Sequence, residues 1–405
     1  MSDHEVTRRR WWARLVRPLF LSIVCLTALE LAGRWYLTRV LDKGTQRKFR
    51  FNSYRVYEHV PGYREGQQPD GTYRMTINGQ GFRRRSEVEP TKPAGVYRIF
   101  LLGGSAAHGV SSTKPFPVKH LSDTETIDAV LERTLNTDND TLRFEVINAA
   151  VTGYQVFQHT AYLQSELLDL DPDLVLFMDG ANDHYANNAD MRYMDDFRFQ
   201  FWKERLQEPS FAGAIAYLCN WLARYSALFK AIVAWQLQHD AQARREHVDL
   251  VTDFATAEER IAAHRAIASR QFLRSMHLNL DLLQRTGVDA VLCLQPMLVV
   301  RPDPDRSEEE NALHWTDENV RVLHPVVRDE VARVAREHRV PFTDLNEAAR
   351  STEARGRSFF IDDCHLTPLG ASLCAARIAG VVRTRLRPGA VPDSVILHLE
   401  RVEVR

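Results

Sequence analysis

The sequence predicts an α/β protein, a parallel β-sheet with helices on both faces, behind an N-terminal apolar helix. Three observations lead there. From Val96 onward, short apolar runs alternate with longer amphipathic patterns, the order expected of βαβ units. The first three runs end in small residues or turn formers: Gly103-Gly104-Ser105, Ala149 to Gly153, and Gly180-Ala181-Asn182-Asp183. The first fifty residues hold an apolar stretch between basic flanks.

The chain has 405 residues, 44% hydrophobic and 26% charged, enough for one large core or two smaller ones. Its net charge of -1 gives no global field favouring nucleic acid, so no nucleic-acid partner is expected.

The N-terminal apolar run, Leu19 to Ala32, is interrupted only by Glu30 and is short against the ~20 residues a span needs. Trp11, Trp12, Trp35 and Tyr36 supply interfacial flanks that make residues 18–41 a membrane anchor. No small-residue cleavage site follows, which favours an uncleaved signal anchor. A helix lying in the interface and a buried core helix are the alternatives. The arginine cluster Arg8, Arg9, Arg10, Arg14 and Arg17 favours a cytoplasmic residue 1–17 segment. That predicts a single-pass inner-membrane protein with an extracytoplasmic, periplasmic body, its membrane partnership running through residues 18–41.

Residues 42–95 are polar and rich in turn residues, with Tyr73–Ile77 as a hairpin strand. They read as a stem and a small β extension, because seven aromatics argue against disorder. The strand candidates of the main domain, residues 96–390, are Val96–Leu102, Phe144–Asn148, Asp173–Met178, Val288–Leu294 and Val340–Asp344. Helical patterns over Thr124–Leu135 and Gln155–Leu168 separate the first three. Residues 185–286, rich in Ala, Arg, Leu, Glu and Gln, read as an inserted set of amphipathic helices. Arg301–Glu310 reads as a solvated loop, Thr367–Leu386 as the last helix, and the tail 391–405 as a possible extra strand. The five cysteines (Cys25, Cys219, Cys293, Cys364, Cys374) show neither zinc spacing nor a disulfide framework.

Ligands of open α/β sheets bind beyond the carboxyl ends of the strands. Ser105, Gly153 and Asn182 follow the first three strands there. The loop Ile361-Asp362-Asp363-Cys364-His365-Leu366-Thr367 precedes the last helix. A carboxylate three residues from a histidine can bind one ring nitrogen and leave the other to take a serine proton, with Asp362 orienting and His365 as base. The Ser105 and Gly153 backbone N–H groups and the Asn182 amide are candidate oxyanion donors. Taken singly, these residues read more simply: Ser105 as a helix cap, Gly153 and Asn182–Asp183 as turn residues, His365 as a surface histidine. His108 and His184 read as pocket-wall or surface residues. A metal site at Asp362, Asp363, Cys364 and His365 finds no second ligand cluster.

The blocks GGSAAHG, NAAVTGY, GAND and DDCHLTPLG, in this order, resemble the SGNH or GDSL hydrolase superfamily over roughly residues 96 to 386. Ser105, Gly153, Asn182 and His365 fall on its four naming positions, and Asp362, rather than Asp363, on its triad carboxylate. The segment Ile77–Arg83 (INGQGFR), with the anchor, resembles a membrane-anchored bacterial branch. Gly104 departs from the aspartate of the GDS form. The resemblance implies a three-layer α/β/α sandwich with a five-stranded, mostly parallel flavodoxin-like sheet. It also implies ester hydrolysis or acyl transfer without metal or cofactor, on an ester-bearing small molecule, glycan or lipid. A deacetylase of envelope carbohydrate is favoured on location; an envelope O-acyltransferase and a non-catalytic tethered scaffold are the alternatives. The α/β-hydrolase elbow G-x-S-x-G does not fit, since Ala107 stands at its second glycine.

Overall fold

The computed structural model describes residues 3–39, 48–52, 54–112, 119–137, 142–185, 256–312 and 317–386, with several residues between 218 and 235. It comprises two units, Met1–Thr45 with Gln200–Asp249, and Gln46–Phe199 with Leu250–Arg405.

The second unit is built on a five-stranded sheet: β1 (Val96–Gly103), β2 (Arg143–Asn148), β3 (Leu174–Asp179), β4 (Asp289–Leu294) and β5 (Phe342–Asp344). The order is β5-β4-β3-β1-β2, and all four pairings are parallel. The α/β expectation therefore holds, with a sheet that is wholly parallel. Every residue of β3 and β4 is buried, as it must be where helices cover both faces.

Alternate side chains feed two cores. Phe100, Leu102, Val175, Phe177 and Leu292 pack under helices Val156–Tyr162, Arg270–Thr286 and Asp317–His338. Ile99, Leu101, Leu176, Val291 and Cys293 pack under helices Ile127–Asn136 and Pro368–Leu386. These make three layers. Chain order reverses between β1 and β3, so a crevice opens at their carboxyl ends.

The β extension consists of two antiparallel pairs, Phe49–Asn52 with Val56–His59 and Arg64–Gln67 with Tyr73–Thr76. The turn after it is closed by Asn78, whose Oδ1 accepts the N–H of Gln80 (3.0 Å) and of Phe82 (2.9 Å). This sends the Phe82 ring into the first core and lets the Arg83 N–H bond Asn148 O of β2 at 3.0 Å.

Two expectations are corrected. The sequence assigns residues 185–286 to one insertion, but the structure divides it. Helices Ala257–His264 and Arg270–Thr286 belong with the sheet, because Phe272, Met276, Leu280 and Leu283 form a helical stripe buried in the first core. Residues 301–310 are not a solvated loop. Asp305 caps a helix, Arg306–Asn311, and Glu308 is wholly buried. At the N-terminus one helix runs Asp3–Arg39, so the basic segment continues into the apolar run. The tail 391–405 lies outside the described residues.

Candidate active site

Strand β1 ends at Gly103, where a side chain would collide with Met178 O of β3 and with Ala107 Cβ. The chain then passes through Gly104 into a short helix, Ser105–His108, closed by Gly109 at φ 89°. That left-handed conformation suits glycine. Ser105 thus stands half-buried over the crevice at the switch point.

The loop before the last helix meets it there. Phe360 bridges Leu366, Ile361 N–H donates to His365 O (2.8 Å), and Thr367 N–H to Phe359 O (3.0 Å). Within this tight hairpin Asp362 Oδ1 accepts the backbone N–H of Cys364 (3.1 Å) and of His365 (2.9 Å). Its carboxylate also lies 2.8 Å and 2.9 Å from His365 Nδ1. With Nδ1–H donated to Asp362, His365 Nε2 is left to accept the Ser105 hydroxyl, whose Oγ lies 2.8 Å away. Gly370 seals the hairpin to the last helix, for a Cβ there would strike Phe359 O.

Electrostatics follow the geometry. Burial pushes the Asp362 carboxyl up, but the His365 hydrogen bond and charge and the two backbone N–H groups outweigh it. The carboxyl ends well below the usual carboxylate range. Burial pushes His365 down, whereas Cys364, its Sγ 3.8 Å from Nδ1, and Asp362 pull it up; the net direction is well above the ordinary imidazole value. The donor atoms of Asp362, Cys364 and His365 lie within 4.8 Å of one another, close enough to share a cation. Cation binding at Nδ1 would break the hydrogen-bonded path to Ser105.

Gly153 and Asn182 reach the same crevice. Val151 N–H donates to Gly103 O (3.1 Å), tying the β2 loop to the end of β1. Gly153, at φ 80°, turns this loop in a conformation open to glycine. Asn182 Nδ2 donates to Tyr154 O (2.8 Å), and Gln155 Nε2 donates to Asn182 O (3.2 Å). The Asn182 amide lies so close over Gly104 that a Cβ at Gly104 would overlap Nδ2. Gly104, in place of the GDS aspartate, puts no side chain beside this amide.

This arrangement has a counterpart among known proteins. The profile of the GDSL-like lipase/acylhydrolase family matches residues 101–373, well over half of the chain. The chain belongs to the GDSL-like lipase/acylhydrolase family. The protein is accordingly an ester-hydrolysing enzyme. Among solved structures, this GDSL-like enzyme is similar to an aryl esterase of M. smegmatis (14% identity, 71% of this chain and 99% of that one, TM-score 0.42). It is similar also to a carbohydrate acetylesterase of Sinorhizobium meliloti (11%, 71% and 99%, 0.41). A lipase/acylhydrolase of Enterococcus faecalis gives comparable values (14%, 72% and 98%, 0.40). No curated protein matches it.

The structure brings Ser105, Asp362, His365, Gly153 and Asn182 of the GDSL-like enzyme to one crevice. His108 and His184 are buried, not at a surface: His108 Nδ1 faces Ala150 O (3.1 Å), and His184 Nδ1 faces His264 Nε2 (3.0 Å). His108, at the end of the serine helix, meets the His59 ring at a tilt and the His120 ring edge-on; burial pushes His59 down to about 3 and the other two well below the ordinary value, so they stay neutral. Asp183 Oδ1 accepts Val156 N–H (3.0 Å), a tie between the segments that follow β3 and β2.

Two supporting groups escaped the sequence reading. Buried Arg83 donates to His108 O, to Gly109 O (3.1 Å) and to Leu121 O (2.5 Å), holding the end of the serine helix. Buried Glu308 pairs with Arg301 (2.5 Å), and its Oε1 accepts the N–H of Phe359 and Phe360 (2.7 Å each), bracing the Asp362–His365 hairpin. The signal for the second was present, since Asp305 and Glu308 have capping-box spacing.

Proposed function

We propose that the protein is a membrane-anchored serine esterase acting on short acyl esters, favoured substrate an O-acetylated carbohydrate or a lipid of the cell envelope. Ser105 Oγ attacks the ester carbonyl while His365 Nε2 takes its proton; Asp362 keeps the imidazole in the required tautomer and stabilises its charged form. The Ser105 and Gly153 N–H groups and the Asn182 amide hold the oxyanion. His365 returns the proton to the leaving alcohol, and water, activated in the same way, releases the acid from the acyl-serine. The observation that carries the reading is the unbroken Ser105–His365–Asp362 hydrogen-bonded chain.

Location supplies the substrate class. Pro18–Tyr36 is long and apolar enough to span, and the arginine cluster before it favours a cytoplasmic start and an exported catalytic body. The test is turnover of aryl acetates and labelling by a fluorophosphonate with the full chain in detergent, beside Ser105→Ala. Both activities are expected in the parent and neither in the variant; equal behaviour of the two proteins refutes the reading. Product analysis with oligosaccharide acceptors separates hydrolysis from acyl transfer.

A further inference from the structure

The unit formed by Met1–Thr45 and Gln200–Asp249 contains a contact that the hydrolase chemistry does not use. Glu30 lies inside the apolar window Pro18–Tyr36, where a carboxylate is unfavourable unless satisfied. It is satisfied by a distant part of the chain: Glu30 accepts the Ser226 hydroxyl (2.6 Å), the Ala227 N–H (2.7 Å) and the Leu228 N–H (3.0 Å). Arg34, one turn on, approaches the same carboxylate at 3.5 Å.

Gly33 shares this face of the helix, three residues from Glu30. A Cβ on Gly33 would sit 2.7 Å from Leu228 Cα and 2.8 Å from its backbone N. The two backbones are thus in direct contact, the arrangement that small residues permit between helices in lipid. Around this contact the segment shows apolar surface: Leu218 is 52%, Tyr225 76% and Trp235 54% exposed. That surface belongs to the same unit as the exposed Leu26, Leu29 and Leu31 of the anchor helix.

We propose that the segment 218–235 is embedded in the membrane beside the anchor helix, docked on Glu30 and Gly33, with the bilayer hydrocarbon as the partner of its apolar face. The inference rests on the reading of the N-terminal helix as a span. Depth supports it. Glu30 lies six residues before Tyr36, about 9 Å along a helix, so the docked backbone enters a core of about 30 Å from the Tyr36 end of the span. Ala227 and Leu228 open a helical run whose first N–H groups lack intrahelical acceptors; at such depth these need protein partners, and Glu30 supplies them.

The test uses the full-length protein in lipid vesicles, labelled with an environment-sensitive dye at one accessible thiol at a time. The sites are Cys25 on the anchor, Cys219 or Tyr225→Cys in the segment, and Ser307→Cys on the catalytic unit as the aqueous reference. The other accessible cysteines are replaced by serine. Nitroxide lipids are expected to quench positions 219 and 225 as strongly as position 25, and to leave position 307 bright. Gly33→Leu is expected to reduce quenching at 219 and 225 while position 25 stays quenched. Quenching at 25 with none at 219 and 225 overturns the inference and leaves the anchor standing. Loss of quenching at 25 as well overturns the anchor, and the inference with it. Positions 219 and 225 shielded from water but unquenched, with protein crosslinking through them, would assign the surface to a second copy of the chain instead.

Discussion

The Asn182 amide leaves no room for a side chain at Gly104, and this yields a sharp prediction. Gly104 has φ -89° and ψ -150°, extended backbone outside the left-handed region that favours glycine. Gly104→Ala therefore acts through its Cβ alone. That atom overlaps the Asn182 Nδ2 position, and Asn182 Cγ and Tyr154 O stand next nearest at 3.5 Å each. The amide sits at the far end of a side chain and must retreat by about 1 Å, a displacement that can cost 10²-fold in rate at a catalytic group. Its hydrogen bond to Tyr154 O, which aims it, goes with the shift. Losing one oxyanion donor typically lowers kcat by about 10²–10³, some 2.7–4 kcal/mol of transition-state stabilisation. The expected result with an aryl acetate is a kcat reduced about 100-fold, KM little changed and an unaltered urea midpoint. Asn182→Ala should cost as much as Gly104→Ala, and the double variant no more than either, since both remove one interaction. Near-parental kcat in Gly104→Ala, or losses that add in the double variant, would refute the role given to Asn182.

Other expectations follow from the same site. With neutral His365 as the proposed base, kcat/KM should rise with pH through its titration; Cys364 and Asp362 outweigh burial, so the acid limb lies above the ordinary imidazole value. Asp362→Asn should move that limb down and lower kcat by about 10⁴; a pH–rate profile reads both, and an unmoved limb argues against the pairing. Glu308→Ala strands the buried Arg301 guanidinium and two hairpin N–H groups, with an expected loss of about 3–5 kcal/mol in chemical denaturation. Arg83→Met removes the donor to the buried carbonyls of His108 and Leu121, at about 1–3 kcal/mol each. Slower fluorophosphonate labelling of the folded fraction should accompany it, and unchanged labelling would reduce Arg83 to a stability role.

The sheet was readable because β1, β3 and β4 are largely apolar runs followed by turn residues, the pattern of strands buried on both faces. The site residues were readable for a related reason. Ser105, Gly153 and Asn182 each follow a strand, and Asp362 and His365 share one short loop, so their local spacing carries the proposed chemistry. What supports them acts at long range and was not. Arg83 reads as one charge among three arginines, and only the fold turns it towards His108 O. In RPDPDRSEEE the charge density masks that Arg301 and Glu308 neutralise each other in the interior. Helix Arg270–Thr286 shows an apolar stripe, but a stripe does not say which core receives it; the neighbouring polar segment made it look inserted.

The most direct test of the central claim is intact-protein and peptide mass spectrometry of the enzyme quenched during turnover of an aryl acetate. An acetyl group on Ser105, rising and decaying with the substrate and absent from Ser105→Ala, is the predicted result. Turnover at the full rate with no acyl group on Ser105, or with the acyl group on another residue, would contradict it.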